Sequence, residues 1–252
     1  MKRIYIYMLL ALILGSCKKQ DSQPIHDKEL STYNIIILDR SGSMSPIQQE
    51  TVSGTDSIIN DIRVQCTDSC EQIVTLMSFS SMGNIFHSLN CSADSMPAFT
   101  EKDYSPEGGT PLFDAIGETC KKAEAYVDSM NFDIVSVSII TDGLENSSHT
   151  YSQDAIQNLI ARLSEKGWLF AYIGAGHNVE DVANALGIKN YMTFTKSSEG
   201  TKYMIDQNRS SRYNYYRKME RIINNERKRK GRELTNEEKA TLRKLQNTEY
   251  YE

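Results

Sequence analysis

The sequence predicts an α/β protein with a doubly wound, mostly parallel six-stranded sheet, helices on both faces and a C-terminal helical extension. Three observations carry that prediction. Short apolar runs alternate with stretches of helical periodicity from about residue 31 to residue 195. Two of those runs, Tyr33-Asn34-Ile35-Ile36-Ile37-Leu38 and Asp133-Ile134-Val135-Ser136-Val137-Ser138-Ile139-Ile140, are predominantly apolar and read as buried parallel strands. Both run straight into a polar turn that carries an acidic residue, Asp39 in the first and Asp142 in the second.

In chain order, the first strand covers about 33–39. Pro46 opens a helix over about 47–64, with Ile47, Ile58, Ile59 and Ile62 among its apolar positions. Ile73 to Phe79 is the second strand. Met82-Gly83-Asn84 turns the chain, and Ile85 to Leu89 returns as a short edge strand. Residues 90–111 form a long loop with Pro97, Pro106, Gly108, Gly109 and Pro111, and a long loop in a compact domain is usually functional. A helix follows over about 112–129. The fourth strand ends at Asp142, and a helix spans about 152–166. Trp168 to Gly174 is the fifth strand. Asn178 caps a helix that Gly187 ends, and Tyr191 to Phe194 closes the sheet. With strand order 3-2-1-4-5-6 the order reverses between strands 1 and 4, where ligands of open α/β sheets bind. Asp39 and Asp142 end those two strands.

The candidate site is a hard-metal centre. Asp39, Ser41 and Ser43 follow the first strand, Thr110 lies on the long loop, and Asp142 follows the fourth. Carboxylates and hydroxyls without His or thiolate suit Mg²⁺, Mn²⁺ or Ca²⁺ rather than zinc. Two carboxylates and three hydroxyls leave room for waters and one outside ligand.

These residues resemble the metal-ion-dependent adhesion site of the von Willebrand factor type A family. Its pattern is D-x-S-x-S, then a distant Thr, then a distant Asp. Asp39, Ser41, Ser43, Thr110 and Asp142 fill all five positions, and the resemblance covers roughly 31–195. The resemblance implies that Ser41 and Ser43 bind the metal directly, that Thr110 does so in the ligand-competent state, and that the Asp residues act mostly through waters. It also implies that a partner protein supplies an Asp or Glu carboxylate to the sixth position. Arg40, Met44, Glu145 and the 90–109 loop are expected to form the partner-binding rim.

The ends of the chain read differently. Lys2 and Arg3, an apolar stretch over Ile4 to Ile13 and Leu14-Gly15-Ser16-Cys17 resemble a bacterial lipoprotein signal, in which Cys17 becomes the lipidated terminus. Residues 18–30 read as a flexible tether. The expected location is the cell envelope, on a membrane through the lipid anchor. From about Ser198, Tyr215, Met219, Ile222 and Ile223 recur at helical spacing, Gly231 breaks the pattern, and Thr235 with Glu238 forms a capping box.

Other features carry less. The 252 residues have a net charge of −5, which gives no global attraction to nucleic acid. Arg227-Lys228-Arg229-Lys230-Gly231-Arg232 reads as a solvated helix end, with anionic lipid as the sharper option. Beyond Cys17, four cysteines remain: Cys120 on an apolar helix face as a buried thiol, and Cys66, Cys70 and Cys91 flanking a hairpin that a disulfide among them would staple. Gly174-Ala175-Gly176-His177 lacks the third glycine of a dinucleotide loop. None of the four histidines sits in a hydrolase motif. The sequence therefore favours a binding module over an enzyme. The alternatives are an envelope scaffold acting through the C-terminal helices and a metal-dependent hydrolase.

Overall fold

In the computed structural model, residues 29–65, 70–247 and 250–251 are described. The expected signal segment with Cys17, nearly all of the tether, and Cys66 lie outside them. The sheet has six strands: β1 (Thr32–Asp39), β2 (Gln72–Phe79), β3 (Ile85–Ser92), β4 (Ile134–Thr141), β5 (Leu169–Gly174) and β6 (Asn190–Thr193). Their order is β3-β2-β1-β4-β5-β6, with β3 antiparallel to β2 and every other pair parallel. This is the predicted order. β1 is central because it is apolar on both faces. Tyr33, Ile35 and Ile37 enter one core cluster and Ile36 and Leu38 the other, as the two-residue period of a strand requires.

Among the described residues six α-helices accompany the sheet: α1 (Gln48–Arg63), α2 (Leu112–Ser129), α3 (Gln153–Glu165), α4 (Val179–Ala185), α5 (Ser198–Lys230) and α6 (Asn236–Gln246). Buried residues of α2, α3 and α4, among them Ile116, Ile160 and Ala183, pack on the Tyr33 face. Those of α1 and the start of α5, such as Ile59 and Ile205, pack on the Ile36 face. Pro46 lies in a 3₁₀ turn (Gly42–Ile47) ahead of α1 rather than at the first turn of α1 itself.

The predicted caps are present. Asn178 accepts from the Asp181 amide. Thr235 and Glu238 form the reciprocal capping box of α6. Gly231, at φ +66°, ends α5 in the left-handed region that favours glycine. Cys120 is fully buried with a free thiol, and burial pushes that thiol up to about 12. Leu30 is not tether: it is buried beside Tyr216, whose hydroxyl accepts from the Leu30 amide at 3.2 Å.

Candidate metal centre

The carboxyl ends of β1 and β4 lie side by side, because the two strands pair in register from Thr32–Ile134 to Leu38–Ile140. Asp39 is the last residue of β1, and its Oδ1 accepts from the Ser41 amide at 2.7 Å. Ser41 and Ser43 hydroxyls are 3.0 Å apart, and Ser43 Oγ donates to Asp142 Oδ1 at 2.6 Å. Thr141, the last residue of β4, donates to Asp39 Oδ2 at 2.6 Å. Thr110 arrives on the loop before α2. Gly143 lies between Thr110 and Asp39, since a Cβ at Gly143 would stand 3.1 Å from Thr110 Oγ1 and 3.9 Å from Asp39 Oδ2. The five predicted residues thus border one small region at the top of the sheet.

Backbone bonds hold the loops that carry them. Gly42 N donates to Gly108 O at 3.0 Å and Glu107 N to Arg40 O at 2.9 Å. Thr110 N donates to Asn146 Oδ1 at 2.8 Å, and Asn146 N returns a bond to Thr110 O at 3.1 Å. Tyr104, fully buried, donates its hydroxyl to Asp39 O. Thr110 is therefore braced against the segment that follows Asp142.

The site is short of positive charge. Burial pushes Asp39 up to about 6, against hydrogen bonds from Thr141 and Ser41 and with a further push from Asp142. Asp142 Oδ2 is buried and receives no aligned hydrogen bond; the Lys196 ammonium pairs with it. Two buried carboxylates with hydroxyl oxygens beside them form a donor set that suits a hard divalent cation, with the Lys196 ammonium as a competing positive charge. Among the described residues there is no group of three or more His, Cys, Asp or Glu that could hold a metal ion.

No protein-family model matches the sequence, and no curated protein matches it. Solved structures do. The VWA domain of SpRpn10 superposes with a TM-score of 0.52 at 12% identity, over 71% of this chain and 95% of that one. The vWF domain of the type V pili tip protein Mfa5 from Porphyromonas gingivalis gives 0.51 at 11%, with the same coverages. The D319A mutant of the PilB minor pilin from Streptococcus sanguinis gives 0.51 at 11%, over 78% of this chain and 64% of the pilin. The chain has the von Willebrand factor type A fold. At these identities the likeness is one of fold, and this chain spans under two thirds of the pilin's length.

Within this VWA fold the predicted rim needs correction. Arg40 is 3% exposed: its guanidinium donates to Ser105 O at 3.1 Å and Gly83 O at 3.0 Å and pairs with Glu107 at 3.3 Å. Met44 is fully buried in the α1-side core. Glu145 accepts from the amides of Phe113 at 2.9 Å, Ser147 at 2.8 Å and Ser148 at 2.7 Å, so it caps the start of α2. The physical reason is local. The turn after β1 lays Ser41 and Ser43 toward Asp142, and the intervening positions then point into the protein. The exposed apolar residues nearby are Met82, close against Gly108, and Leu144. Sequence reasoning missed Thr141, Asn146, Tyr104 and Lys196. Thr141 and Asn146 adjoin the Asp142 motif and were within its reach; nothing in the sequence ties Tyr104 or Lys196 to it.

Proposed function

We propose that this VWA domain is a binding module that recruits a partner protein through a divalent cation, Mg²⁺ or its relatives Mn²⁺ and Ca²⁺. The convergence of Asp39, Ser41, Ser43, Thr110 and Asp142 where the strand order reverses supports the reading. A bound cation supplies a Lewis-acidic position for one carboxylate oxygen of the partner. The chain's own residues set up that position. Ser41, Ser43 and Thr110 offer hydroxyl oxygens, and Thr141 and the Ser41 amide fix the Asp39 carboxylate. The loop bonds to Gly108 and Asn146 keep the three segments together. The sequence holds no H-E-x-x-H or G-x-S-x-G motif, so the proposal is binding rather than hydrolysis; a panel of ester and phosphate substrates tests that point.

The proposal extends to the envelope. Cys17 is the lipidation site and residues 18–28 the tether of a lipoprotein. The chain enters the fold at Leu30, at the start of β1, whereas the site lies at the other end of that strand. Eight strand residues separate the two ends by roughly 25 Å. Among the described residues no helix is long and apolar enough to cross a membrane.

Affinity capture from envelope extracts with and without chelator tests the function. Capture by wild type that is lost in chelator and in Asp39→Ala supports it, and retention in either overturns it. Cys17→Ser is expected to release the protein from the membrane fraction.

A further inference from the structure

Lys196 lies between β6 and α5, and its ammonium pairs with Asp142 Oδ2. The Asp142 side chain has no exposure and that of Lys196 has 29%. The backbone on both sides of Lys196 is fixed. Phe194 N donates to Gly174 O at 2.9 Å, and Ser197 caps α5 by accepting from Gly200 N at 3.1 Å. The lysine is therefore held at the site by a strand end and a helix start. Its contact is to Oδ2, while Oδ1 of the same carboxylate faces Ser43. The ammonium and the hydroxyl cluster thus use opposite oxygens of Asp142, and the partial exposure of Lys196 leaves it open to an incoming anion.

We infer that Lys196 is a specificity-determining residue of the proposed centre, which trades affinity for the cation against affinity for the partner's carboxylate. The inference rests on the metal-binding reading above. Charge balance sets the trade. Asp39 and Asp142 as carboxylates give the centre two negative charges, and Lys196 cancels one. A divalent cation entering the centre meets less attraction, and also repulsion from the ammonium, in a buried setting where charges are poorly screened. Once a divalent cation is bound, the centre carries one net positive charge instead of none. That surplus is what a partner carboxylate sees, and a half-buried ammonium beside it adds a second point of attraction. Without Lys196 the same centre holds a cation more tightly and an anion less well. Lysine suits this role because its compact charge sits on a flexible stem and can serve both Asp142 and an incoming ligand.

The test uses the full chain, freed of metal by chelator, as wild type, Lys196→Met and Lys196→Arg. Calorimetric titration with Mn²⁺ is expected to show binding roughly tenfold tighter or more in Lys196→Met, and near wild type in Lys196→Arg. Acetate titrated into each Mn²⁺-loaded protein, read by water-proton relaxation, is expected to bind several-fold more weakly to Lys196→Met. In chelator, Lys196→Met is expected to melt several degrees below wild type, because Asp142 loses its counter-charge. Mn²⁺ binding of equal or lower affinity in Lys196→Met overturns this inference alone, as does an unchanged melting temperature in chelator. Failure of all three proteins to bind Mn²⁺ overturns the metal reading, and this inference with it.

Discussion

Arg227 and Asp133 form an ion pair almost sealed from water: Nη2 and Oδ1 are 2.7 Å apart, and each side chain is 1% exposed. Lys239 Nζ lies 2.7 Å from the same Oδ1, and the Ser31 amide donates to Oδ2 at 3.0 Å. Burial works against ionisation of Asp133, but Lys239 and Arg227 outweigh it and hold the carboxyl below its ordinary value. One carboxylate at the start of β4 thereby ties down α5 and α6 together. Removing it takes the buried counter-charge from Lys239 and leaves Arg227 with Glu233, whose side chain is half exposed. Asp133→Ala is expected to cost about 3–5 kcal/mol in urea unfolding, while Lys239→Met, which leaves Arg227 paired, is expected to cost less. Equal costs for the two variants would show that Lys239 and Arg227 are not sharing one counter-charge.

Deletion of the C-terminal helices is expected to damage the domain rather than trim it. Ile205 and Met204 of α5 share a core with Val52 and Ile58 of α1. Farther along, Tyr215, Tyr216, Met219 and Ile223 cover Ile134, Leu169 and Ala171 of the sheet. Arg243 of α6 donates to Phe132 O at 2.8 Å. A chain ending at residue 197 is expected to lose cooperative thermal unfolding and to bind a hydrophobic dye. A sharp transition within a few degrees of wild type would show instead that the first six strands and four helices stand alone. A comparison of scaffold and metal-site functions therefore needs surface substitutions, such as at exposed Tyr203 and Tyr213, in place of truncation.

The sheet was legible in the sequence because its central strands are buried on both faces and end in acidic turns. Strand order followed from those ends. The packing of α5 and α6 was not legible in the same way. Arg227 read as part of a solvated helix end, and nothing in the local pattern marked it, Lys239 or Arg243 as buried, since such residues are almost never buried without partners. Their partners, Asp133 and the carbonyls beside it, lie about a hundred positions earlier in the chain. The run from Arg227 to Arg232 also lost its basic character on folding: Arg229 pairs with Glu226, and Lys230 and Arg232 pair with Glu238. Motif spacing singled out Asp39, Ser41, Ser43, Thr110 and Asp142, which the fold brings near one another. It said nothing of which neighbours face solvent, so Arg40 and Met44 were placed on a rim although both are buried, and Glu145 turns to the start of α2. That property depends on the path of the loops, which Gly108, Asn146 and Tyr104 fix through contacts invisible to a local pattern.

Gly143 tests whether Thr110 belongs to the centre. A methyl there would stand 3.1 Å from Thr110 Oγ1, tighter than ordinary contact. Thr110 cannot retreat freely, because Asn146 holds both its amide and its carbonyl. Gly143→Ala is expected to weaken Mn²⁺ binding several-fold with a change in melting temperature of at most a few degrees. Unaltered Mn²⁺ affinity would mean that Thr110 Oγ1 is not needed where the structure places it.

Thr110→Ala is expected to weaken partner binding more than metal binding. A ligand shifts a two-state equilibrium only by its differential affinity for the two states. If a partner carboxylate favours the state in which Thr110 holds the cation, loss of that hydroxyl falls mainly on the partner. Titration of Mn²⁺ alone, then of the captured partner at saturating Mn²⁺, measures the two losses separately. Equal losses would make Thr110 a static ligand with no part in a switch.

Acid stability is expected to fall through a cluster far from the metal centre. Glu124 of α2 accepts from Arg162 of α3, with one contact of 2.9 Å to Nη2, and from Lys166 Nζ at 2.8 Å. Lys166 also reaches Asp128 at 2.7 Å, so the four residues bind α2 to the end of α3. The Arg162 hydrogen bonds, with Lys166 and against partial burial, bring Glu124 down to about 2 from its ordinary 4.5. A depressed acid contributes stability that is fully present above its unfolded value and is lost as pH falls toward its folded value. The contribution is therefore constant from neutral pH to about 5 and disappears between about 5 and 2. Arg162 is half exposed, so solvent screening limits the effect to about 1 kcal/mol. Urea unfolding of wild type and Glu124→Gln is expected to differ by that amount at pH 7, by clearly less at pH 3.5, and by less again in 1 M salt, where the Debye length is about 3 Å. A difference that ignores both pH and salt would assign the role of Glu124 to the packing of its aliphatic stem between α2 and α3.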